Sequence, residues 1–287
     1  MTWFIFAALT ALSESSKDLF SKIGLARMNE YLVSWVLMTF SIPLLSVALI
    51  LAGIPEIGPH YLTALFVHGT LNTLAIILYM RAIKSSELSI TVPMVAFSPL
   101  FLLITSPIIV GEFPSAAGLI GVILIVAGSY LLHLNQLSRG VLMPFKALFE
   151  QPGPRYMMLV AFIWSITANF DKIGVRNSSP MFWSFSLAVF MSIAMLPVAL
   201  LTNRNLFRTI RKNLRCLIPI GLFQGCALLF QMLAVQLTLV AYVVAIKRTS
   251  TALSVIWGAI FLKEKNIREK LLGVGIMLAG VTLIVLN

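Results

Sequence analysis

Four stretches of this sequence, Ile57–Met80, Leu88–Gly111, Phe113–Ser138 and Asn177–Asn203, contain no Asp, Glu, Lys or Arg. Each is long enough to cross the ~30 Å hydrocarbon core of a bilayer as a helix, which takes about 20 apolar residues. Blocks of this kind cannot be dressed for water. The whole chain is 59% hydrophobic and 11% charged, with mean hydropathy +0.98, whereas a soluble domain carries about 25% charged residues. The net charge of +11 falls mainly in short stretches between apolar blocks, so it reads as a topology signal and not as a nucleic-acid surface. Met1–Leu12 lacks a basic start and runs into charged residues, so the first span is expected to act as its own insertion signal.

The expected fold class is all-α integral membrane, with ten transmembrane helices over residues 2–22, 32–52, 61–82, 88–110, 115–134, 155–174, 180–201, 216–236, 239–262 and 269–286. Two of these follow by elimination. Between Arg215 and Lys263 lie 47 residues whose only charges are Lys247 and Arg248, too long for one span and right for two. Lys247 and Arg248 then lie at membrane depth. Likewise Met1–Ser13 cannot cross alone, so the first span takes in Glu14, Lys17 and Asp18; the alternative is an interfacial or re-entrant first segment. The only cysteines, Cys216 and Cys226, fall in or beside one apolar block and suit helix packing better than a disulfide or zinc site.

The two halves align. Phe20-Ser21-Lys22-Ile23-Gly24 recurs as Phe170-Asp171-Lys172-Ile173-Gly174 at an offset of 150 residues. From Gly69 and Met80 onward the offset is 152: they match Gly221 and Met232, Glu112 matches Glu264, and Gly121, Gly128 and Leu131 match Gly273, Gly280 and Leu283. Five helices per copy is an odd number, so the second copy is inverted in the membrane. Inverted repeats are a transporter architecture, with the site near the midplane between repeats. Residues 1–134 form the first five-helix repeat, 135–154 a connecting loop, and 155–287 the second repeat.

On these repeats, and on Gly111-Glu112, Lys263-Glu264 and the glycine-bearing fifth and tenth spans, the chain resembles the drug/metabolite transporter superfamily, in its two-domain EamA-type branch. The resemblance implies ten helices, with the fifth and tenth packed to one side of a central cavity. Several members of that superfamily are thought to keep both termini cytoplasmic.

Charges inside a bilayer cost at least ~2.5–3.5 kcal/mol each and mark candidate sites. Glu14 and Asp18 share one face of the first helix with Lys17 beside them, and would bind a proton or a substrate amine, or neutralise one another locally. Lys247, Ser250, Thr251 and Ser254 fall at i, i+3, i+4 and i+7, and with Arg248 they offer donors to a carboxylate or phosphate. The Lys247-Arg248 pair resembles the phosphate-contacting pair of triose-phosphate translocators, but Val95 stands where that branch has a further lysine. The alternative is that Lys247 and Arg248 pair with Glu14, Asp18 or Asp171. Asn72 matches Gln224 and Tyr79 matches Gln231, polar positions symmetric between repeats that fit a cavity lining. His68 reads as a packing residue. Pro93, Pro99 and Pro107 interrupt the fourth span, where proline breaks the helix ladder.

Sequences for metal, nucleophilic or phosphate-cradling catalysis are absent, and no cofactor or metal is expected. The expected function is secondary transport of a small polar metabolite across a cell membrane, an organic anion or a zwitterion such as an amino acid. Protons are the candidate coupling ion, the lipid bilayer the medium, and a monomer or homodimer the assembly. A lipid-carrier flippase and a membrane-embedded enzyme are the competing readings.

With Lys17, Lys247 and Arg248 set aside, 16 basic residues fall on one side of the predicted topology and two, Lys172 and Arg176, on the other. Basic residues stay cytoplasmic, so both termini are expected on the non-cytoplasmic side. A tag placed after Asn287 should therefore react with an impermeant reagent in intact cells; labelling only after permeabilisation would reverse the orientation.

Overall fold

The computed structural model describes residues 1–25, 28–86, 91–134, 143–203, 205–254 and 267–286. Among these the chain is all-helical: α1 Thr2–Leu25, α2 Glu30–Thr39, α3 Ile42–Ala52, α4 Tyr61–Ser85, a 3-10 segment Val92–Phe97, α5 Ser98–Ile109, α6 Ala116–Leu134, α7 Met143–Glu150, α8 Pro152–Arg176, α9 Pro180–Thr202, α10 Leu206–Leu237, α11 Val240–Lys247 and α12 Ile267–Val285. Among the described residues, five runs are long and apolar enough to cross a membrane: Glu30–Ala52, Tyr61–Ala82, Pro152–Arg176, Pro180–Thr202 and Leu206–Leu237. Pro93–Ile109, Ala116–Leu132 and Leu272–Val285 are shorter apolar helices. Large apolar side chains such as Ile50, Leu51, Phe66, Ile104, Ile108, Ile193 and Leu201 stand exposed on these helices, where only lipid would accommodate them. This is a multi-pass membrane protein.

The residues divide into two compact units, each drawing on both halves of the sequence. One comprises Thr2–Thr73 and Phe170–Leu237. In it α1 lies against α10, with Phe6 stacked on Phe230 and Phe20 on Phe223, so the two helices run antiparallel. The second predicted span bends between α2 and α3. Pro43, near the start of α3, has no N–H and its ring clashes with the carbonyl four residues back, which ends α2 at Thr39. The corner at Phe40 and Ser41 fits against Gly221 and Gly225 of α10, where a Cβ on Gly221 would lie 2.6 Å from the Phe40 carbonyl carbon. α10 begins ten residues before the span read from the sequence, which stopped at Arg215. Arg208, Arg211, Lys212 and Arg215 are exposed while Leu206 and Leu217 are buried, so the same helix runs out past the apolar layer. Lys172, counted above as a loop base, is instead buried, with its ammonium donating to the Val235 carbonyl at 2.5 Å.

The other unit comprises Leu74–Asn169 and Thr238–Asn287, with Met1. Its closest helix pair is α6 and α12. A Cβ on Gly121 would meet the Gly280 oxygen at 2.7 Å, and one on Gly128 the Gly273 oxygen at 2.5 Å. The reciprocal positions collide likewise, at 2.6 Å for Gly280 and 2.8 Å for Gly273. As one helix ascends from Gly121 to Gly128 the other descends from Gly280 to Gly273, so the pair is antiparallel and related by a local two-fold. The stretch expected to be a plain connecting loop contains α7, whose Phe145 packs edge-on to Phe97 at 5.4 Å and against Tyr130 at 5.6 Å.

Backbone-to-backbone contact leaves no flexible side chain to yield, so Gly128→Leu should cost at least ~1–3 kcal/mol by overpacking. The thermal midpoint of purified protein should fall clearly, while Gly275→Ala, which meets nothing within 4 Å, should leave it unchanged.

Candidate functional site

Two helices of the second unit are interrupted at equivalent places. The 3-10 segment gives way to α5 at Ser98, and α11 gives way after Lys247 to a turn at Arg248 and Thr249, with helix resuming at Ser250. Ser98 and Ser250 are 152 residues apart, the repeat offset. Proline explains the first break: Pro93 opens the 3-10 segment and Pro99 the first turn of α5. The second break has no proline. There the Thr249 hydroxyl donates to the Ile246 carbonyl at 2.7 Å and the Thr251 hydroxyl to the Arg248 carbonyl at 2.8 Å, and the backbone tightens to i→i+3 bonds at Thr249, Thr251 and Ala252. The ninth span, expected to be continuous, is thus broken next to its two charges. Residues 255–262 of that span and Lys263-Glu264 lie outside the described residues.

The break presents Arg248. Its guanidinium donates to the Ser98 hydroxyl at 2.6 Å and lies 5.9 Å from the Trp164 ring centre. Tyr79 stacks on the same indole at 5.9 Å, with the ring planes 30° apart. A guanidinium over an aromatic face gains ~0.5–2 kcal/mol, more as water is excluded. Of the residues singled out in the sequence, this cluster unites Arg248 and Tyr79; Lys247 is the last residue of α11, Thr251 bonds back to Arg248, and Ser250 is buried at the restart. The cluster adds Ser98 and Trp164. Both were legible: Ser98 is the repeat mate of Ser250, and Trp164 stands 150 residues after Glu14. Beside it, Asn169 donates to the Thr105 hydroxyl at 3.0 Å and to the Ser165 carbonyl at 2.8 Å, and accepts from the Ser106 hydroxyl at 2.7 Å, a satisfied network joining α5 to α8.

Gly111-Glu112 has a mechanical role in this unit. Gly111 adopts φ +69°, a left-handed conformation that glycine takes without strain, and turns the chain after α5. This delivers the buried Glu112 carboxylate to the start of α11, where Oε2 accepts the Val240 N–H at 2.8 Å. A carboxylate at a helix N-terminus satisfies an orphan donor and opposes the helix dipole.

In the first unit, the Lys17 ammonium pairs with the Glu14 carboxylate and lies 3.7 Å from Asp18. Glu14 is 9% exposed, whereas the Asp18 side chain is 53% exposed. Gln224 and Gln231 are buried on α10, and Asn72 is half-buried on α4. The same unit holds a cluster that the sequence reading did not assemble. Asp171 Oδ1 lies 3.1 Å from His68 Nδ1 and accepts the Trp183 indole N–H at 2.9 Å. No cluster of three metal-ligating side chains occurs among the described residues.

Discontinuous helices carrying a charge, in a chain of many apolar helices, are a feature shared with membrane transporters. The chain belongs to the EamA-like transporter family, whose model matches residues 1–134 and 151–286. It is also similar to a protein of known crystal structure, with 14% identity, a TM-score of 0.78, and 99% of this chain and 97% of the other covered; that likeness concerns the fold alone. No curated protein is similar enough in sequence to count as a match.

Removing the Glu112 carboxylate leaves the α11 terminus without its charged acceptor, a loss of ~1.5–3 kcal/mol for a charge-assisted bond. Glu112→Ala should lower the thermal midpoint of the purified protein, and Glu112→Gln, which keeps an acceptor oxygen, should lower it less.

Proposed function

We propose that this protein is a secondary transporter that moves a small polar metabolite, an organic anion or a zwitterion such as an amino acid, by alternating access. In this reading two inverted five-helix repeats, 1–134 and 155–287, supply ten spans of a cell membrane, with both termini non-cytoplasmic. The observation that carries it is Arg248, which stands at a helix break with the Ser98 hydroxyl and the Trp164 face against its guanidinium. A hydroxyl is a weak partner for a guanidinium. A substrate carboxylate displaces Ser98 and takes two parallel N–H bonds in its place. Lys247, one residue before, adds a second positive charge. Trp164 and Tyr79 give a flat platform for the apolar part of the substrate. Ser250, Thr251, Asn72, Gln224 and Gln231 line the path. Glu14 and Asp18, linked through Lys17, take the substrate amine or a coupling proton, and the assembly is a monomer or homodimer.

The test is solute flux in proteoliposomes, with ligands first found by a thermal-shift screen of metabolites, since a ligand of the native state raises its apparent stability. Arg248→Lys replaces a planar fork by a point charge. It should reduce flux by about 10- to 100-fold, equivalent to ~1.5–3 kcal/mol of charge-assisted bonding, with insertion and melting unchanged. Lys247→Ala should abolish flux. Wild-type flux in either variant would overturn the reading.

A further inference from the structure

We propose that His68 and Asp171 form a proton-binding site, and that this dyad, rather than the Glu14 carboxylate, takes up the coupling proton of the transport cycle proposed above. The claim rests on that transport reading only for the use made of the proton; the binding site stands on its own geometry. His68 is 6% exposed and Asp171 3%, both on apolar helices, α4 and α8. A buried ionisable pair is not an economical way to hold two helices together, because well-packed apolar side chains of the same volume serve as well or better.

The hydrogen-bond geometry orients the imidazole. Asp171 Oδ1 faces His68 Nδ1 at 3.1 Å and already accepts the Trp183 N–H at 2.9 Å. A carboxylate has no proton to give, so Nδ1 carries the hydrogen and the imidazole is oriented with Nε2 as its basic atom. A proton arriving at Nε2 converts the neutral ring to an imidazolium that is hydrogen-bonded to the carboxylate. Trp183 fixes the carboxylate from α9 and also packs edge-on to the His68 ring at 6.1 Å.

From α8, Lys172 follows Asp171 in the chain, and its ammonium donates to the Val235 carbonyl of α10. From α4, Tyr61 is bonded to Ser186 at 2.5 Å and faces Trp183 at 5.7 Å. α9 carries no acidic, basic, Cys or Tyr residue, and α10 brings its Val235 carbonyl to Lys172 and Met232 to the Tyr61–Trp183 core. In the same unit a cleft of about 350 Å³ has His60, Thr63, Arg176 and Asn177 on its polar side and reaches Ala64 and Phe170. Ala64 is one helical turn before His68, and Phe170 is the residue before Asp171.

The test is a ¹⁵N-histidine NMR titration of the purified full-length protein, with the proton as the ligand. His68 should titrate reversibly, its signal being the one lost in His68→Gln. Asp171→Asn, close to isosteric, should displace the His68 midpoint by about one pH unit or more. Trp183→Phe, which keeps an aromatic side chain but removes the indole N–H together with the second ring, should displace it as well, covering the case in which Asp171→Asn does not fold. Arg248→Lys should leave it in place. In proteoliposomes carrying a mixture of radiolabelled amino acids, Asp171→Asn should flatten the pH profile of flux and Glu14→Gln should not. A His68 signal that does not titrate, or whose midpoint is indifferent to both Asp171→Asn and Trp183→Phe, overturns the proton site. A flux profile flattened by Glu14→Gln and untouched by Asp171→Asn also overturns it. Absence of any wild-type solute flux, with the His68 titration as expected, supports the proton site and removes the transport reading.

Discussion

Lipid offers no hydrogen bonds, so each backbone N–H and C=O within the apolar layer must find its partner inside the protein. Three departures from regular helix among the described residues are answered by specific polar groups. The bend at Phe40 and Ser41 is covered by the Ser41 hydroxyl on the Met38 carbonyl at 2.7 Å and by close approach to Gly221 and Gly225. The start of α11 is covered by the Glu112 carboxylate, and the break after Lys247 by the hydroxyls of Thr249 and Thr251. Only because those bonds are made can the chain hold a broken helix beside a cation.

The same constraint sets how the helices meet. Without water to drive apolar association, helix contacts in a membrane depend on close packing and on polar links. α6 and α12 use the first device, bringing backbones together at Gly121 with Gly280 and Gly128 with Gly273. α5 and α8 use the second, through Asn169 with Thr105, Ser106 and Ser165. The glycine contact pairs residues crosswise between the repeats: Gly121 and Gly128 meet Gly280 and Gly273, the offset mates of Gly128 and Gly121.

Charges are placed with similar economy. Lys17 sits between Glu14 and Asp18, Lys172 donates to the Val235 carbonyl, and Arg248 lies between a serine and an indole. An acid paired with a lysine lowers the insertion cost of both ions. The guanidinium at the helix break is set instead against a neutral hydroxyl and a ring face, and the proposed substrate contact is centred there.

From composition and spacing alone, the membrane environment, the helical class, the family and the internal repeat were all legible. Apolar runs of spanning length and a fixed residue offset are one-dimensional patterns, and transfer free energy acts on them segment by segment. The conserved-looking offset even located Ser98 and Trp164, had Ser250 and Glu14 been carried across it. What the chain order could not carry was partnership. The joining of His68 to Asp171 and Trp183, of Glu112 to Val240, and of Arg248 to Trp164 spans scores of residues, and each depends on how helices cross and rotate. Helix breaks without proline, as at Arg248, and the continuation of α10 through four arginines and lysines were likewise decided by packing. Local propensity is nearly silent at such places, because hydroxyls and backbone amides choose their partners only after the helices have come together.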